Sequence, residues 1–163
     1  MRLYIWAKIL FIAMLFISEP AVWAQGHQEN EEDFDFVLEE LDVAIQNFIS
    51  GDSSQFKDMW LKSEDVTISG GFGGPVEKGW DAIKARLAVV ASLYPPGVKF
   101  ATERLTSGVS GNLGYLVQHE FFRFPDDTEP SRNYRVTMLF QNAGGEWKII
   151  HRQADSNMTW QEP

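Results

Sequence analysis

The chain has 163 residues, of which 44% are hydrophobic and 23% are charged, a composition typical of a single globular domain. It contains 14 Lys and Arg residues against 23 Asp and Glu residues, so its formal net charge is −9 and it has no basic surplus for binding a nucleic-acid backbone. It contains no cysteine, which excludes disulfides, thiolate metal sites and cysteine nucleophiles.

Residues 1–24 have the pattern of a secretory signal peptide. Arg2 and Lys8 supply positive charge, an apolar run follows at residues 9–17, and small residues suit cleavage after Ala24. The run is shorter than the roughly 20 residues that a membrane-spanning helix requires. We therefore predict a periplasmic or secreted protein without a stable membrane anchor. Its mature chain is expected to begin with a flexible acidic leader at residues 25–32.

Three helices are predicted from apolar residues spaced three and four apart. The first follows an Asp33 cap and ends at Gly51, the second is short and follows Ser53 or Ser54, and the third begins near Gly79. The buried stripe of the first helix is predicted to contain Phe34, Val37, Leu38, Leu41, Ala44, Ile45 and Phe48.

Alternating apolar residues and turn signals predict five strands. One strand, at residues 66–69, leads into a glycine-rich loop at residues 70–75. The others follow the third helix at residues 98–106, 115–124, 134–141 and 147–155. Consecutive strands with turn-length links form an antiparallel sheet, so the element order predicts an α+β fold with helices on one face. We assign residues 33–157 to this domain and residues 158–163 to a C-terminal tail.

Several stretches of the chain resemble the nuclear transport factor 2-like superfamily and its SnoaL-like and ketosteroid-isomerase-like branches. They are Asp-Val-Thr-Ile at 65–68, Gly-Trp-Asp-Ala-Ile at 79–83, the strand entry at 110–117, and the closing hairpin at 135–137 and 145–152. The resemblance covers roughly residues 34–155. It implies a cone-shaped roll in which three N-terminal helices pack on the concave face of a curved antiparallel sheet. In such domains an apolar cavity holds a substrate, a small ligand or nothing known.

The closing strand departs from that family in one position. The family commonly has His-Arg-His after the hydrophobic pair, whereas this chain has His151, Arg152 and Gln153. An amide can only donate or accept hydrogen bonds, which favours binding over proton transfer at Gln153.

Side chains alternate between the two faces of a strand, and charged side chains prefer water. In the closing strand this places Lys148 and Arg152 outside, so we predict that Trp147, Ile149, His151 and Gln153 face inward. A four-residue loop at 142–145 would then set Phe140 opposite Trp147, Met138 opposite Ile149 and Val136 opposite His151. A bulge would instead turn Arg135 and Thr137 inward, and both arrangements remain open.

The same reasoning applied to residues 115–124 places an aromatic set inside and a polar set outside. The inward set is predicted to be Tyr115, Val117, His119 and Phe121, and the outward set Leu116, Gln118 and Glu120.

These orientations define the candidate site. His119 and His151 are candidate catalytic bases, because imidazole is the commonest general base, and the competing interpretation of each is a structural core histidine. The predicted ligand-binding residues are Trp60, Phe72, Trp80, Tyr115, Tyr134, Trp147 and Gln153. Core packing explains the aromatic members equally well, and Phe72 on its glycine loop fits a plug or a lid. No metal is predicted and no cofactor is implied.

Three functions fit the sequence. The first is an exported protein that binds a small apolar or aromatic molecule between helices and sheet. The second is a SnoaL-like or isomerase-like enzyme in which His119 or His151 transfers a proton on a carbonyl-containing substrate. The third, compatible with both, is a homodimeric assembly module. Its contact is expected on the outer sheet face, which is predicted to carry Leu116, Gln118, Glu120, Ile150 and Arg152.

Overall fold

The protein is described by a computed structural model of residues 20–125 and 131–156, with side chains from residue 31 onward. In chain order its elements are α1 (Pro20–Ile49), α2 (Ser54–Asp58), β1 (Thr67–Gly70), β2 (Glu77–Lys78), α3 (Trp80–Ser92), β3 (Lys99–Ser110), β4 (Leu113–Arg123), β5 (Arg132–Ala143) and β6 (Glu146–Ser156). Most of the predicted signal segment and the whole predicted C-terminal tail lie outside the described residues.

Helix α1 carries the predicted buried stripe but begins earlier than expected. Of the predicted stripe, Phe34, Leu38, Leu41, Ala44, Ile45 and Phe48 are buried and Val37 is half-buried, and Gly51 follows the helix end with φ 99°. The helix begins at Pro20, so the segment for which we predicted a flexible leader is helical. Its residues include good helix formers, and adding turns to a helix already held by packing costs little. In the described part of the chain, no helix has the length and apolar character needed to cross a membrane.

The six strands form one curved, open sheet in the order β2-β1-β6-β5-β4-β3, and the predicted α+β cone is confirmed. Strands β3 to β6 pair as antiparallel neighbours. Strand β1 lies parallel to β6, with Thr67 opposite His151, which the sequence reasoning did not foresee. This pairing brings the chain before the glycine-rich loop next to the closing strand.

Both long hairpins are tighter than predicted. Gly111 and Asn112 connect β3 to β4, and Gly144 and Gly145 connect β5 to β6, in place of the longer loops expected. Gly111, Gly144 and Gly145 all have positive φ, between 62° and 93°, which two-residue turns between twisted strands require.

A β-bulge in β6 overturns the predicted orientation of its second half. Phe140 pairs with Ile149 but Leu139 pairs with His151, so Ile150 is an extra residue. The bulge lies where one edge of β6 changes its pairing partner. The backbone of Ile149 is bonded to Met59 and Leu61, whereas residues 151–154 on the same edge pair with β1. One extra residue exchanges the two faces of a strand.

The exchange corrects the predicted pairing and face assignments. Trp147 and Ile149 are buried as predicted, whereas Arg152 and Ala154 replace His151 and Gln153 on the inner face. The observed pairs are Phe140 with Ile149, Met138 with Arg152 and Val136 with Ala154. Arg135 and Thr137 are exposed, so the alternative that turned them inward is also wrong.

The predicted orientation of β4 is wrong throughout. Its buried residues are Leu116, Gln118, Glu120 and Phe122, and its outward residues are Tyr115, Val117, His119 and Phe121. The prediction assumed that polar side chains face water, but Gln118 and Glu120 find polar partners inside. Three of the residues assigned to the outer face, and Arg152 with them, are therefore on the inner one.

The core lies between the helices and the concave face of the sheet. The ring of Phe34 packs edge-on against Phe140 at 5.2 Å and lies tilted against Trp147 at 5.0 Å. It also lies directly on the backbone of Gly114, where an added Cβ would come within 2.7 Å of the ring. A glycine at this position therefore permits α1 to approach the sheet closely.

Candidate functional site

A cavity of about 50 Å³ lies among α1, α2, α3 and the inner face of the sheet. Its apolar wall consists of Ile45, Phe48, Phe56, Ile68, Leu87, Val90 and Phe122. Its polar wall consists of Arg86, Tyr94, Glu120, Tyr134 and Arg152. The glycine-rich loop closes one side with Gly70, Gly71 and Phe72. The cavity thus combines an apolar majority with a few convergent polar groups, as small-molecule sites do.

An ion pair is buried in the cavity wall. Arg152 Nη2 donates to Glu120 Oε2 at 2.6 Å, and the two side chains are 13% and 0% exposed. Gln118 Nε2 donates to the other carboxylate oxygen of Glu120 at 3.1 Å. A carboxylate without water is costly unless it is paired and hydrogen-bonded, and both of its oxygens are bonded here.

Two polar atoms of this network have no partner among the described residues. They are Arg152 Nε, a donor, and Gln118 Oε1, an acceptor, and both are fully buried. Buried polar atoms nearly always make a hydrogen bond, so an unpaired donor beside a cavity is a feature to be explained. Arg152 lines the cavity, whereas Gln118 lies behind Glu120 and does not.

Two phenols complete the polar wall. The ring of Tyr94 stacks on Phe122 at 5.7 Å, and Phe122 contacts the ring of Tyr134 at 5.6 Å. Burial raises the pKa of the Tyr94 hydroxyl well above its ordinary value, so this group stays protonated. The hydrogen bonds within the described part of the chain include none from either hydroxyl, which leaves both as donors at the cavity.

Phe72 covers the cavity at the tip of the glycine-rich loop. Its ring meets Tyr94 edge-on at 5.5 Å, and the guanidinium carbon of Arg132 lies 4.8 Å from the ring centroid. Gly70, at the base of the loop, has φ 77°, and an added Cβ there would lie 1.6 Å from the carbonyl oxygen of Ala154. The loop therefore leaves the sheet by a path that only glycine can follow.

Arg86 of α3 holds the same loop by hydrogen bonds to its backbone. Its Nη2 donates to the carbonyl oxygens of Gly70 at 2.9 Å and Gly73 at 2.8 Å, and its Nη1 to that of Pro75 at 3.3 Å. Glu77 lies 3.9 Å away. One side chain thus holds three loop carbonyls and keeps Phe72 over the cavity.

Of the predicted ligand-binding residues, the cavity contains Phe72 and Tyr134. Trp60 and Trp147 are buried in the core without lining it, and Trp80 is half-buried at the start of α3. Tyr115 is exposed on the outer face of the sheet. These aromatic residues therefore do not converge on one place, because most of them serve the packing of different elements.

The predicted catalytic histidines lie on the sheet face opposite the cavity. His119 Nδ1 is 3.2 Å from Glu103 Oε2, and His151 Nδ1 is 2.7 Å from Thr67 Oγ1. Burial lowers the pKa of His151. Gln153, on the same face, bonds to Ser69 and Asp155. The cavity is thus without an imidazole, contrary to the orientation predicted from β4 and β6.

The sequence reasoning missed Glu120, Arg152, Tyr94 and Arg86. A signal for Glu120 was present: it shares strand parity with Leu116 and Phe122, so an inward-facing apolar set would have included a carboxylate. Arg152 carried no such signal, because its inward orientation depends on the bulge at Ile150.

The family model of the SnoaL-like domain matches residues 37–156, so the chain belongs to the SnoaL-like family within the nuclear transport factor 2-like superfamily. A comparison with curated proteins finds no match.

Solved structures share the fold at low sequence identity. A nuclear transport factor 2-like protein of unknown function from Pseudomonas putida is 17% identical, with a TM-score of 0.68 over 81% of this chain and 89% of that one. A proposed dehydratase of the same family from Streptomyces avermitilis is 16% identical, with a TM-score of 0.67 over 81% and 99%. A proposed ketosteroid isomerase from Parabacteroides distasonis is 14% identical, with a TM-score of 0.57 over 71% and 83%. These similarities establish the fold and leave the function to the site.

Proposed function

We propose that this domain binds a small, largely apolar or aromatic molecule in the cavity between helices and sheet. One observation carries the proposal: an apolar cavity contains a buried ion pair and two phenols without hydrogen-bond partners in the described chain. Among these groups Arg152 Nε is fully buried without a partner among the described residues, and a buried polar atom costs free energy unless it is bonded, so a ligand acceptor there would be stabilising.

The size of the cavity requires the glycine-rich loop to move. Its volume of about 50 Å³ is well below the several hundred Å³ typical of ligand sites. The described state therefore corresponds to a closed form, in which Phe72 occupies space that a ligand would enter. Outward movement of residues 72–75 enlarges the cavity without disturbing a strand, since β1 ends at Gly70 and the bond from Gly71 N to Ala154 O lies before the moving segment.

Two variants of neighbouring residues on α3 test the proposal. Val90 lines the cavity, whereas Val89 is 60% exposed on the other side of the helix. A thermal-shift screen with steroids, polyketide-like rings and aromatic acids first identifies a binding probe, since a ligand at a hundred times its Kd adds about 2.7 kcal/mol to stability. We expect Val90→Phe to abolish the shift and Val89→Phe to preserve it. A shift that survives Val90→Phe, or the absence of any shift, contradicts binding in this cavity.

The enzyme alternative is less well supported. Proton transfer by His119 or His151 needs a carbonyl substrate beside an imidazole, and both imidazoles lie across the sheet from the cavity. Loss of turnover of a carbonyl substrate in His119→Ala or His151→Ala, with binding of the cavity probe unchanged, would restore this function and place it on the outer face.

We also propose export of the mature chain after cleavage at Ala24. The charged start and apolar run of the first 24 residues support it. Full-length protein expressed in a bacterium should appear in the periplasm or medium with Gln25 as its first residue by intact-mass measurement. Cytoplasmic protein that retains Met1 contradicts the proposal.

Finally, we propose that two copies associate through the outer face of the sheet. Tyr115 and Leu139 are cross-strand partners there, 42% and 40% exposed. Beside them runs a row of mixed charge across four strands, formed by Glu103, His119, Arg135 and Asp155. Sedimentation should give a dimer that Leu139→Glu dissociates and Val89→Glu, at an exposed apolar site on α3, does not. A monomeric wild-type protein contradicts the proposal.

A further inference from the structure

The polar wall of the cavity offers mainly hydrogen-bond donors. Arg152 Nε–H and the hydroxyls of Tyr94 and Tyr134 have no partner among the described residues. The acceptors of Glu120 are already taken, one oxygen by Gln118 and the other by Arg152. A ligand group that bonds to Arg152 Nε therefore has to accept a hydrogen bond, and both phenol hydroxyls can donate to the same group.

The charges point to an anionic acceptor. Among the residues that line the cavity, two are guanidinium groups, Arg86 and Arg152, and one is a carboxylate, Glu120. Glu77 lies 3.9 Å from Arg86, so the cavity wall with this neighbour carries no net charge, in a chain whose formal net charge is −9. The cavity thus lacks the negative excess of the protein as a whole, which favours an anion there over the rest of the surface.

We infer that the ligand is a monocarboxylate whose apolar body lies against Phe48, Leu87 and Phe122 and whose carboxylate accepts hydrogen bonds from Arg152 and the two phenols. This inference rests on the proposed binding function. A phosphate dianion would place two negative charges beside Glu120 in a buried region, whereas a monocarboxylate places only one there. Guanidinium and phenol donors bond to a carboxylate more strongly than to a neutral carbonyl.

The first test compares benzoate with benzamide, which have the same shape and differ in charge, by calorimetry on the purified protein. We expect benzoate to bind at least about tenfold more tightly, the difference between a charge-assisted and a neutral hydrogen bond. Equal or tighter binding of benzamide overturns the inference and indicates a neutral carbonyl ligand.

Different results contradict the carboxylate inference and the proposed binding function. If neither compound binds while a steroid or polyketide-like probe gives a shift that Val90→Phe removes, the carboxylate inference is wrong and the cavity still binds a ligand. If no probe gives a shift sensitive to Val90→Phe, the proposed function itself is wrong.

The second test changes the charge of the wall without changing its shape. Glu120→Gln removes the negative charge opposite Arg152, so benzoate should bind several-fold more tightly and benzamide should be unaffected. Tyr134→Phe removes a donor and should weaken benzoate binding about tenfold. Tyr115→Phe, on the outer face, is the matched control and should have no effect. Weaker benzoate binding in Glu120→Gln, or unchanged binding in Tyr134→Phe, contradicts the assigned position of the carboxylate.

Discussion

Arg152 of β6 reaches across the whole width of β5 to bond Glu120 of β4, and the Nη2–Oε2 distance is 2.6 Å. Strand β5 separates the two partners in the sheet, and its residues Val136 and Met138 are buried on the same inner face. The pair therefore joins two strands that share no backbone hydrogen bonds. It also places the charged wall of the cavity in the centre of the sheet.

Breaking this pair should destabilise the fold. Arg152→Met leaves the fully buried Glu120 carboxylate without its cation, which we expect to lower the free energy of unfolding by about 3–5 kcal/mol. Urea denaturation measures the change. The double variant Glu120→Met with Arg152→Met should recover much of the loss, because it removes both buried charges.

Lys62→Met, which breaks a well-exposed ion pair with Asp58, is the control and should change stability by less than about 1 kcal/mol. A similar small effect of Arg152→Met would mean that Glu120 is not buried as described.

Releasing the glycine-rich loop should expose the cavity. Arg86→Met removes the donors to three loop carbonyls, so we expect faster amide hydrogen exchange within residues 70–75. A ligand probe should also associate faster, because the loop opens more often. Lys84→Met, at an exposed position of the same helix, is the control and should leave both rates unchanged. Unaltered exchange in Arg86→Met would show that Arg86 does not hold the loop.

Alanine substitutions at two adjacent glycines distinguish the cost of backbone strain from that of steric overlap. Gly70 and Gly71 both have positive φ, 77° and 73°, so alanine at either position costs about 1–2 kcal/mol of strain. An added Cβ at Gly70 would also overlap the carbonyl oxygen of Ala154, at 1.6 Å, whereas nothing lies within 4 Å of one at Gly71. We therefore expect Gly70→Ala to be much more destabilising than Gly71→Ala in thermal or urea unfolding. Equal losses would contradict the close approach of β1 to β6 at this point.

His151 should make the stability depend on pH. Burial lowers its pKa in the folded protein below the ordinary value of 6.5, so the folded state disfavours the charged imidazole. Above pH 6.5 the group is neutral in both states and contributes no pH dependence. As the pH falls through 6.5 and towards the lower folded-state pKa, the unfolded state takes up the proton first and stability is lost. Unfolding curves of the wild type and of His151→Gln between pH 8 and pH 5 measure this loss as their difference. A difference that does not change with pH would show that His151 is equally solvated in both states.

The sequence predicted the fold to a considerable extent. The 3.6-residue period of apolar residues predicted the buried side of α1, because that helix packs one face on the sheet. Glycines in the turns predicted where strands end, because these turn positions have positive φ, which glycine adopts readily. Of the residues predicted to bind a ligand, Phe72 and Tyr134 line the cavity. The predicted orientation of β4 was wrong because Gln118 and Glu120 were each assumed to face solvent. Inside the fold they are hydrogen-bonded to each other, and Glu120 is also bonded to Arg152, a contact that the local sequence does not indicate.

What the sequence by itself determined is the order and periodicity of the elements, and with them the family, because these depend on contacts between neighbours along the chain. Tertiary structure alone decided which side chains form the polar wall. The extra residue at Ile150 arises where β6 changes from pairing with residues 59–61 to pairing with β1, and this single shift turns Arg152 inward and His151 outward. This shift in register depends on strands that are distant in the chain and close in space, so a local sequence pattern does not predict it.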